Sequence, residues 1–333
     1  MKDIEFSFII PVYNRPDEIN ELLESFLNFE GNTDFEIVIV EDGSSETSET
    51  VVESFNNQLD ISYYYKPNSG PGDSRNFGMK KAKGNYFIIL DSDVILPKNY
   101  LIEVEKYLSK SFYDCFGGPD AAHSSFSNLQ KAINFAMTSF ITTGGIRGGK
   151  QHVEDFQPRS FNMGLSKKAF LASGGFGKIH PGEDPDLSLR LHKLGFKTTL
   201  IEHAFVYHKR RISWSKFYKQ VNKFGMVSPI LNQWHPDSKS LVYWFPTLFS
   251  LGLIASTVLV VFNITLPMYL YMLYFALAFV MALISNKSVV VAFQALIAIV
   301  VQFIGYGYGF LKSTINLVVM RRNPEEAFPN LFF

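Results

Sequence analysis

Tyr86-Phe87-Ile88-Ile89-Leu90-Asp91-Ser92-Asp93-Val94-Ile95-Leu96-Pro97 is the stretch on which the fold turns. Its uncharged opening reads as a strand buried on both faces, the pattern of a parallel sheet covered by helices. The two aspartates that follow are spaced i, i+2, which on an extended backbone directs both carboxylates to one side. A strand that ends this way, at the carboxyl edge of an α/β sheet, lies where open sheets bind ligands. Two such carboxylates suit a hard divalent cation that keeps some of its waters and grips phosphates. Aspartates also end strands simply as turn residues, so the pair needs its neighbours to be interpreted.

Upstream, Phe6 to Ile10 is a short apolar strand closed by Pro11-Val12-Tyr13-Asn14. Arg15 and Pro16-Asp17-Glu18 start a helix, with proline at the first position and acids in the first turn. Ile19, Leu22, Leu23, Phe26 and Leu27 then recur on one helix face. Glu36 to Val40 reads as the next buried strand and runs into the turn Glu41-Asp42-Gly43-Ser44-Ser45, with a polar helix from about Ser48 to Phe55. Ile61 to Tyr65 is a third strand, followed by the loop Pro67-Asn68-Ser69-Gly70-Pro71-Gly72 and a short helix carrying Arg75 and Asn76. Alternating strands and helices predict a mostly parallel sheet with helices on both faces, its strand ends lining one crevice. No glycine-x-glycine-x-x-glycine follows the first strand, which disfavours a dinucleotide-binding site.

Ile9-Ile10-Pro11-Val12-Tyr13-Asn14, Val40-Glu41-Asp42-Gly43-Ser44, Asn68-x-Gly70-x-x-x-x-Arg75-Asn76-x-Gly78 and Leu90-Asp91-Ser92-Asp93 resemble, in order and spacing, family 2 glycosyltransferases of the GT-A fold. The resemblance implies a nucleotide-sugar site. Pro11, Val12, Tyr13, Asn14 and Asp42 would hold the nucleoside, with Asn68, Arg75, Asp91 and Ser92 on the same donor. Asp93, with Asp91 alongside, would bind Mg²⁺ or Mn²⁺ on the diphosphate. Glu41 replaces the more usual aspartate, and Asp73 stands where the family prefers a small residue.

Further on, Phe161-Asn162-Met163-Gly164, Gly174-Gly175-Phe176 and Gly182-Glu183-Asp184-Pro185-Asp186-Leu187 are similar to the same family. Pro185 permits helix entry, leaving Glu183 and Asp184 at a helix N-terminus, where acids also serve to stabilise the helix. The resemblance makes Asp184 the general base on the acceptor hydroxyl and Glu183 its supporting carboxylate; Asp186 reads as structural. Inverting sugar transfer needs one such base and a cation on the departing diphosphate, and no protein nucleophile. His208, at the end of a strand from Thr198 to Tyr207, is a candidate third metal ligand. The glycine-rich, cationic Thr142 to Lys150 is read either as a hinge over substrate or as a surface loop.

The chain has 333 residues, with 31 Lys+Arg against 31 Asp+Glu. That balance argues against a general nucleic-acid binder. A single cysteine, Cys115, excludes an intrachain disulfide and suits a reducing compartment. Apolar residues concentrate in Leu241 to Phe262, Ile264 to Ile284 and Val289 to Leu311, each long enough to cross a ~30 Å hydrocarbon core. Ile212 to Trp234 mixes aromatics with Lys216, Lys219 and Lys223, as a basic amphipathic helix on an anionic bilayer surface does. With Lys209, Arg210 and Arg211 it places the enzyme domain on the cytoplasmic face, although Arg321 and Arg322 pull the other end inside too. A transporter is disfavoured because the spans hold almost no polar or charged residues.

The expected organisation is an α/β GT-A catalytic domain over 1–211, an interfacial region over 212–240, about three transmembrane helices over 241–320 and a tail over 321–333. The expected activity is inverting, metal-dependent transfer from a UDP- or GDP-sugar to a lipid-linked acceptor, a polyprenyl phosphate or diphosphate saccharide. Processive family members carry Gln-x-x-Arg-Trp, and the nearest match here is Gln220-Val221-Asn222-Lys223-Phe224. The alternatives are a processive polysaccharide synthase and a non-catalytic membrane scaffold.

Overall fold

The computed structural model describes residues 4–121, 126–143, 156–208 and 213–333. The glycine-rich 144–150 and the basic 209–211, both singled out above, lie outside the described residues. In chain order the first elements are β1 (Phe6–Val12), α1 (Pro16–Leu27), β2 (Phe35–Asp42), α2 (Glu49–Phe55), β3 (Ile61–Lys66), α3 (Pro71–Lys81), β4 (Tyr86–Leu90), β5 (Val94–Ile95) and α4 (Tyr100–Lys110). There follow β6 (Cys115–Gly117), β7 (Asp120–Ala121), α5 (Asn128–Thr138), α6 (Phe140–Thr143), β8 (Asn162–Ser166), α7 (Lys167–Ser173), α8 (Glu183–Lys193), β9 (Thr198–Leu200) and β10 (Val206–His208). Four long helices come last: α9 (Trp214–Trp234), α10 (Phe245–Val261), α11 (Leu266–Asn286) and α12 (Val289–Thr314).

Two compact units result, one of residues 4–121, 156–208 and 332–333, the other of 126–143 and 213–331. The first is built on a 7-stranded sheet of order β3-β2-β1-β4-β8-β6-β9. β1 pairs in parallel with both β2 and β4, while β8 enters antiparallel between β4 and β6. Strand alternation sends successive side chains to opposite faces. Ile10, Ile37, Ile39 and Ile88 therefore pack on α1 and α4, through Leu22, Phe26 and Val104. Ile9, Val38, Val40 and Phe87 face α3, α7 and α8, through Met79, Phe170 and Leu191. On α1 the predicted stripe is buried except for Leu27, which falls at its edge and is exposed. A small sheet of order β5-β10-β7 flanks the end of β4.

In the second unit, α10, α11 and α12 belong to three helices long and apolar enough to cross a membrane. α9, expected to lie on a bilayer surface, turns Phe217, Val221 and Gly225 inward and packs on α12. The approach is close enough that a Cβ on Gly225 would meet the Tyr306 carbonyl oxygen at 2.1 Å. Asn222 Nδ2 donates to the Gly305 carbonyl at 2.9 Å. Residues 126–143, expected within the catalytic domain, instead join these helices. The reason is the apolar face of α5, where Ile133 and Ala136 share one core with Ala295 and Phe303.

Gly164 sits opposite Ile88 and Phe116 in the sheet, and the Phe116 ring fills the space a side chain would take: an added Cβ would stand 2.0 Å from it. Gly164→Ala should therefore destabilise the first unit by about 1–3 kcal/mol, the usual range for overpacking a filled core. Thermal denaturation of the detergent-solubilised protein measures this, and an unchanged midpoint would mean that Phe116 moves aside freely.

Candidate active site

Because β1, β2 and β4 run in parallel, their carboxyl ends share one edge. Asn14, in the left-handed region at φ 53, ties the first two ends together. Its N–H donates to Ser44 Oγ at 2.7 Å, and its Oδ1 accepts from the Ser45 and Glu46 backbone at 2.8 and 3.0 Å. Val12 is buried and Pro11 half-buried, whereas Tyr13 stands 53% exposed. Glu41 is fully enclosed and accepts from Ser44 Oγ, from the Ser48 N–H at 2.8 Å and from Tyr63 OH at 3.1 Å.

Asp42 accepts from Lys66 Nζ at 2.7 Å and from the Ser69 and Gly70 N–H groups, both at 3.0 Å. Asn68 Nδ2 donates to the Asp42 carbonyl at 2.8 Å. Both Asp42 oxygens are thus engaged inside the protein, and Asp42 and Asn68 together shape the 68–70 loop.

The buried strand ends at Leu90, and Ser92-Asp93 is a turn. The extended i, i+2 geometry expected of the two aspartates is therefore corrected: turn chemistry at the sheet edge wins over strand continuation. Each carboxylate meets its own guanidinium. Asp91 Oδ1 accepts from Arg75 Nη2 at 2.8 Å, and Asp93 Oδ2 accepts from Arg15 Nη1 at 2.6 Å. Ser92 between them is buried. Burial works against the Arg15 charge, yet Asp93 more than offsets it and holds the guanidinium above its ordinary pKa.

Asp91 and Asp93 are hard oxygen donors of the kind Mg²⁺ and Mn²⁺ take, so the residues fit such an ion. Among the described residues no group of three or more His, Cys, Asp or Glu could cage one. The remaining coordination would fall to water and substrate phosphate, as is usual for Mg²⁺. His208 ends β10 with its backbone opposite Val94, next to Asp93 in sequence; its side chain lies outside the described residues.

The acid pair opens α8. Glu183 is 3% exposed; its Oε1 accepts from Arg75 Nη1 at 2.9 Å and stands 3.0 Å from His180 Nδ1. Arg75, also 3% exposed, lies over the Phe176 ring at 5.3 Å. The terminal nitrogens of Arg75, the residue expected near the base or phosphates, bridge Asp91 and Glu183. Burial alone would raise the Glu183 carboxyl, but the His180 hydrogen bond and charge, with Arg75, hold it well below the ordinary value.

Asp184 goes the other way. Burial lifts its carboxyl and the Glu183 charge adds to the rise, against the pull of Arg159 at 3.7 Å. Asp186 accepts from Arg190 at 2.8 Å, and Arg190 also donates to the Ser173 and Gly175 carbonyls. Asp186 is structural, as its place in the sequence suggested.

One chain of polar contacts, Asp91–Arg75–Glu183–His180, therefore joins the aspartate turn to the acid pair. Residues 7–170 match the family model described as glycosyl transferase family 2. The chain carries a family 2 glycosyltransferase domain. The poly(ribitol-phosphate) β-N-acetylglucosaminyltransferase TarS of Staphylococcus aureus strain Mu50 is 32% identical over 114 residues, 33% of this chain and 20% of that protein. The chondroitin synthase of Escherichia coli is 26% identical over 235 residues, 61% of this chain and 34% of that one. The chain thus spans well under two thirds of the curated relatives it matches. Among solved structures, the mannosyltransferase PcManGT of Pyrobaculum calidifontis, in complex with GDP-Man and Mn²⁺, superposes with a TM-score of 0.59. The two share 13% identity over 92% of this chain and 86% of that one, so the likeness is one of fold.

Four residues of the candidate site carried no site role in the sequence reading: Arg15, Lys66, Arg159 and His180. Lys66 is opposite Asp42 in the β2–β3 register, which only strand pairing reveals. His180 precedes Glu183 by three residues, a spacing that could have flagged it.

Removing the bridging guanidinium leaves Glu183 buried and uncompensated, so Arg75→Leu should lower stability by about 3–5 kcal/mol. Acid titration gives a second measurement. Glu183 is held down to about 2 from an ordinary 4.5, so its contribution is complete above 4.5 and is lost as pH falls towards 2. Glu183→Gln should flatten the stability slope in that window, read by denaturant unfolding at stepped pH.

Proposed function

We propose that this chain is a membrane-associated, metal-dependent, inverting glycosyltransferase. It moves a sugar from a UDP- or GDP-sugar to a lipid-linked acceptor, a polyprenyl phosphate or polyprenyl diphosphate saccharide, at the cytoplasmic face. The observation that carries this reading is the Asp91–Arg75–Glu183 bridge, which sets an aspartate pair and a carboxylate pair around one buried cation. Asp91 and Asp93 would hold Mg²⁺ or Mn²⁺, which when bound neutralises charge on the departing diphosphate.

Asp184 takes the proton from the acceptor hydroxyl. Its raised affinity for a proton, caused by burial and by Glu183, suits a general base working nearer neutrality. Glu183 stays ionised beside it and supplies part of that shift. Tyr13, the exposed aromatic at the end of β1, offers a stacking face for the nucleoside base. Asp42 and Asn68 contribute the shape of the 68–70 loop around it. The apolar helices of the second unit suit an acceptor with a lipid tail.

Transfer of a single sugar is favoured over processive synthesis. Where processive members carry their arginine and tryptophan, this chain has Lys223 and Phe224, and Phe224 packs against the apolar core of the second unit. Product length on gels separates the two.

Donor turnover by purified protein with Mn²⁺ tests the assignment of roles. Asp93→Ala and Asp184→Asn should each lower kcat by at least about a hundredfold, the scale of a lost charge stabiliser or general base. Wild-type rates for both would sink the reading. The pH–rate profile has a definite sign: activity falls as acid protonates Asp184. Glu183→Gln removes the neighbouring negative charge and should move that acid limb to lower pH.

A further inference from the structure

Phe332 and Phe333, from the far end of the sequence, belong to the first unit. Phe332 pairs antiparallel with Ile179, and the Phe333 N–H donates to the Lys178 carbonyl at 3.2 Å. The two residues are thus laid as a minimal strand on the loop that leads into the acid pair. The Phe333 ring then makes two contacts. It lies against Gly70, where an added Cβ would stand 2.5 Å from the ring. Its centroid is also 6.0 Å from the His180 ring at an interplanar angle of 56°, within the range of a favourable aromatic pair.

Both contacts lead into the site. The Gly70 N–H is held by Asp42, so the ring touches the loop on the donor side. His180 is hydrogen-bonded to Glu183, so it also touches the side of the proton acceptor. An exposed hydrophobic end would gain little by docking for stability alone, since Phe333 keeps 53% of its surface open. The glycine at position 70, with φ 88 and no side chain, leaves the ring its room.

Building on the proposed transfer reaction, we infer that Phe333 is a positioning residue: strapped by Phe332 to the 178–180 loop, its ring sets the spacing between the donor loop at Gly70 and the His180–Glu183 pair. The ring acts through His180 and forms no bond to the reacting atoms. Its loss should therefore loosen the acid pair while leaving the nucleotide loop, which Asp42 holds independently, in place.

Hydrogen exchange on the full-length protein in detergent reads the strap directly. Phe333→Ala should speed exchange of the 178–183 amides by about tenfold or more, because local opening frees main-chain bonds that the dock protects. Unchanged exchange overturns the inference whether or not any donor is turned over, so this arm is independent of the functional reading. In turnover assays, Phe333→Ala should lower kcat by about tenfold to a hundredfold, the scale of a misplaced catalytic group, with donor KM little changed. Phe333→Tyr, which keeps a ring, should restore most of the rate. A wild-type kcat in Phe333→Ala overturns the proposal, and a raised one does so by showing a plug rather than a support. A loss that shows only as a raised donor KM also overturns it, since the ring would then serve the nucleotide.

Discussion

The buried guanidinium of Arg75 is the constraint on which the site depends. Asp91 and Glu183 come from distant parts of the chain, and two carboxylates brought together in a half-dry crevice repel each other. A cation enclosed between them makes the meeting possible. The arrangement is not optimised for stability: Arg75 Nε and the second oxygen of Glu183 are buried without hydrogen-bond partners. Such a bridge often contributes less than an apolar packing of the same volume, because each ion must first lose its water. Its gain is geometric, since it fixes how far the aspartate turn stands from the start of α8.

Much of this is legible in the sequence, for reasons that differ by residue. The alternation of Ile9 and Ile10, and of Val38 and Ile39, between two cores follows from strand periodicity alone. The three long helices were legible because length and apolar character suffice to recognise a possible span. The aspartates were placed at the right edge in the wrong conformation, because a strand pattern does not say where pairing stops. The protein partners of Arg75 and Asp42 were not legible, because salt-bridge partners far apart in sequence leave no local signal. The grouping of α5 with α12 has the same origin, for an apolar helix face does not name what it packs against. Phe332 and Phe333 left no sign at all, two aromatics being too short a pattern to read.

The acidic motif residues also shape the loops they stand in. Glu41 caps the approach to α2 through the Ser48 N–H, and Asp42 collects the Ser69 and Gly70 N–H groups. Asn14 and Asn68 bond the neighbouring strand end from either side. Loops at a strand edge lack the ladder that satisfies backbone groups elsewhere, and short polar side chains take its place. Such loops are shaped before a ligand arrives, which lowers the entropy lost on binding. The substitution of glutamate for aspartate at position 41 fits this account, because its extra methylene lets one carboxylate reach Ser48 N–H and Tyr63 OH together.

The opposite behaviour of two adjacent acids follows from the same frame. Glu183 and Asp184 share a helix N-terminus and an enclosed position, so burial raises both. What separates them is reach: Glu183 touches Arg75 and His180 at 2.9 and 3.0 Å, while Asp184 meets Arg159 at 3.7 Å and feels Arg75 only through its field. The better-compensated acid stays ionised and, by its charge, makes its neighbour harder to ionise. One buried cation thus produces both a fixed negative group and a group able to take up a proton, and neighbouring carboxylates driven apart in this way mark acid–base assignments in enzymes generally. Exchanging the two roles would require moving the guanidinium, not merely the acids.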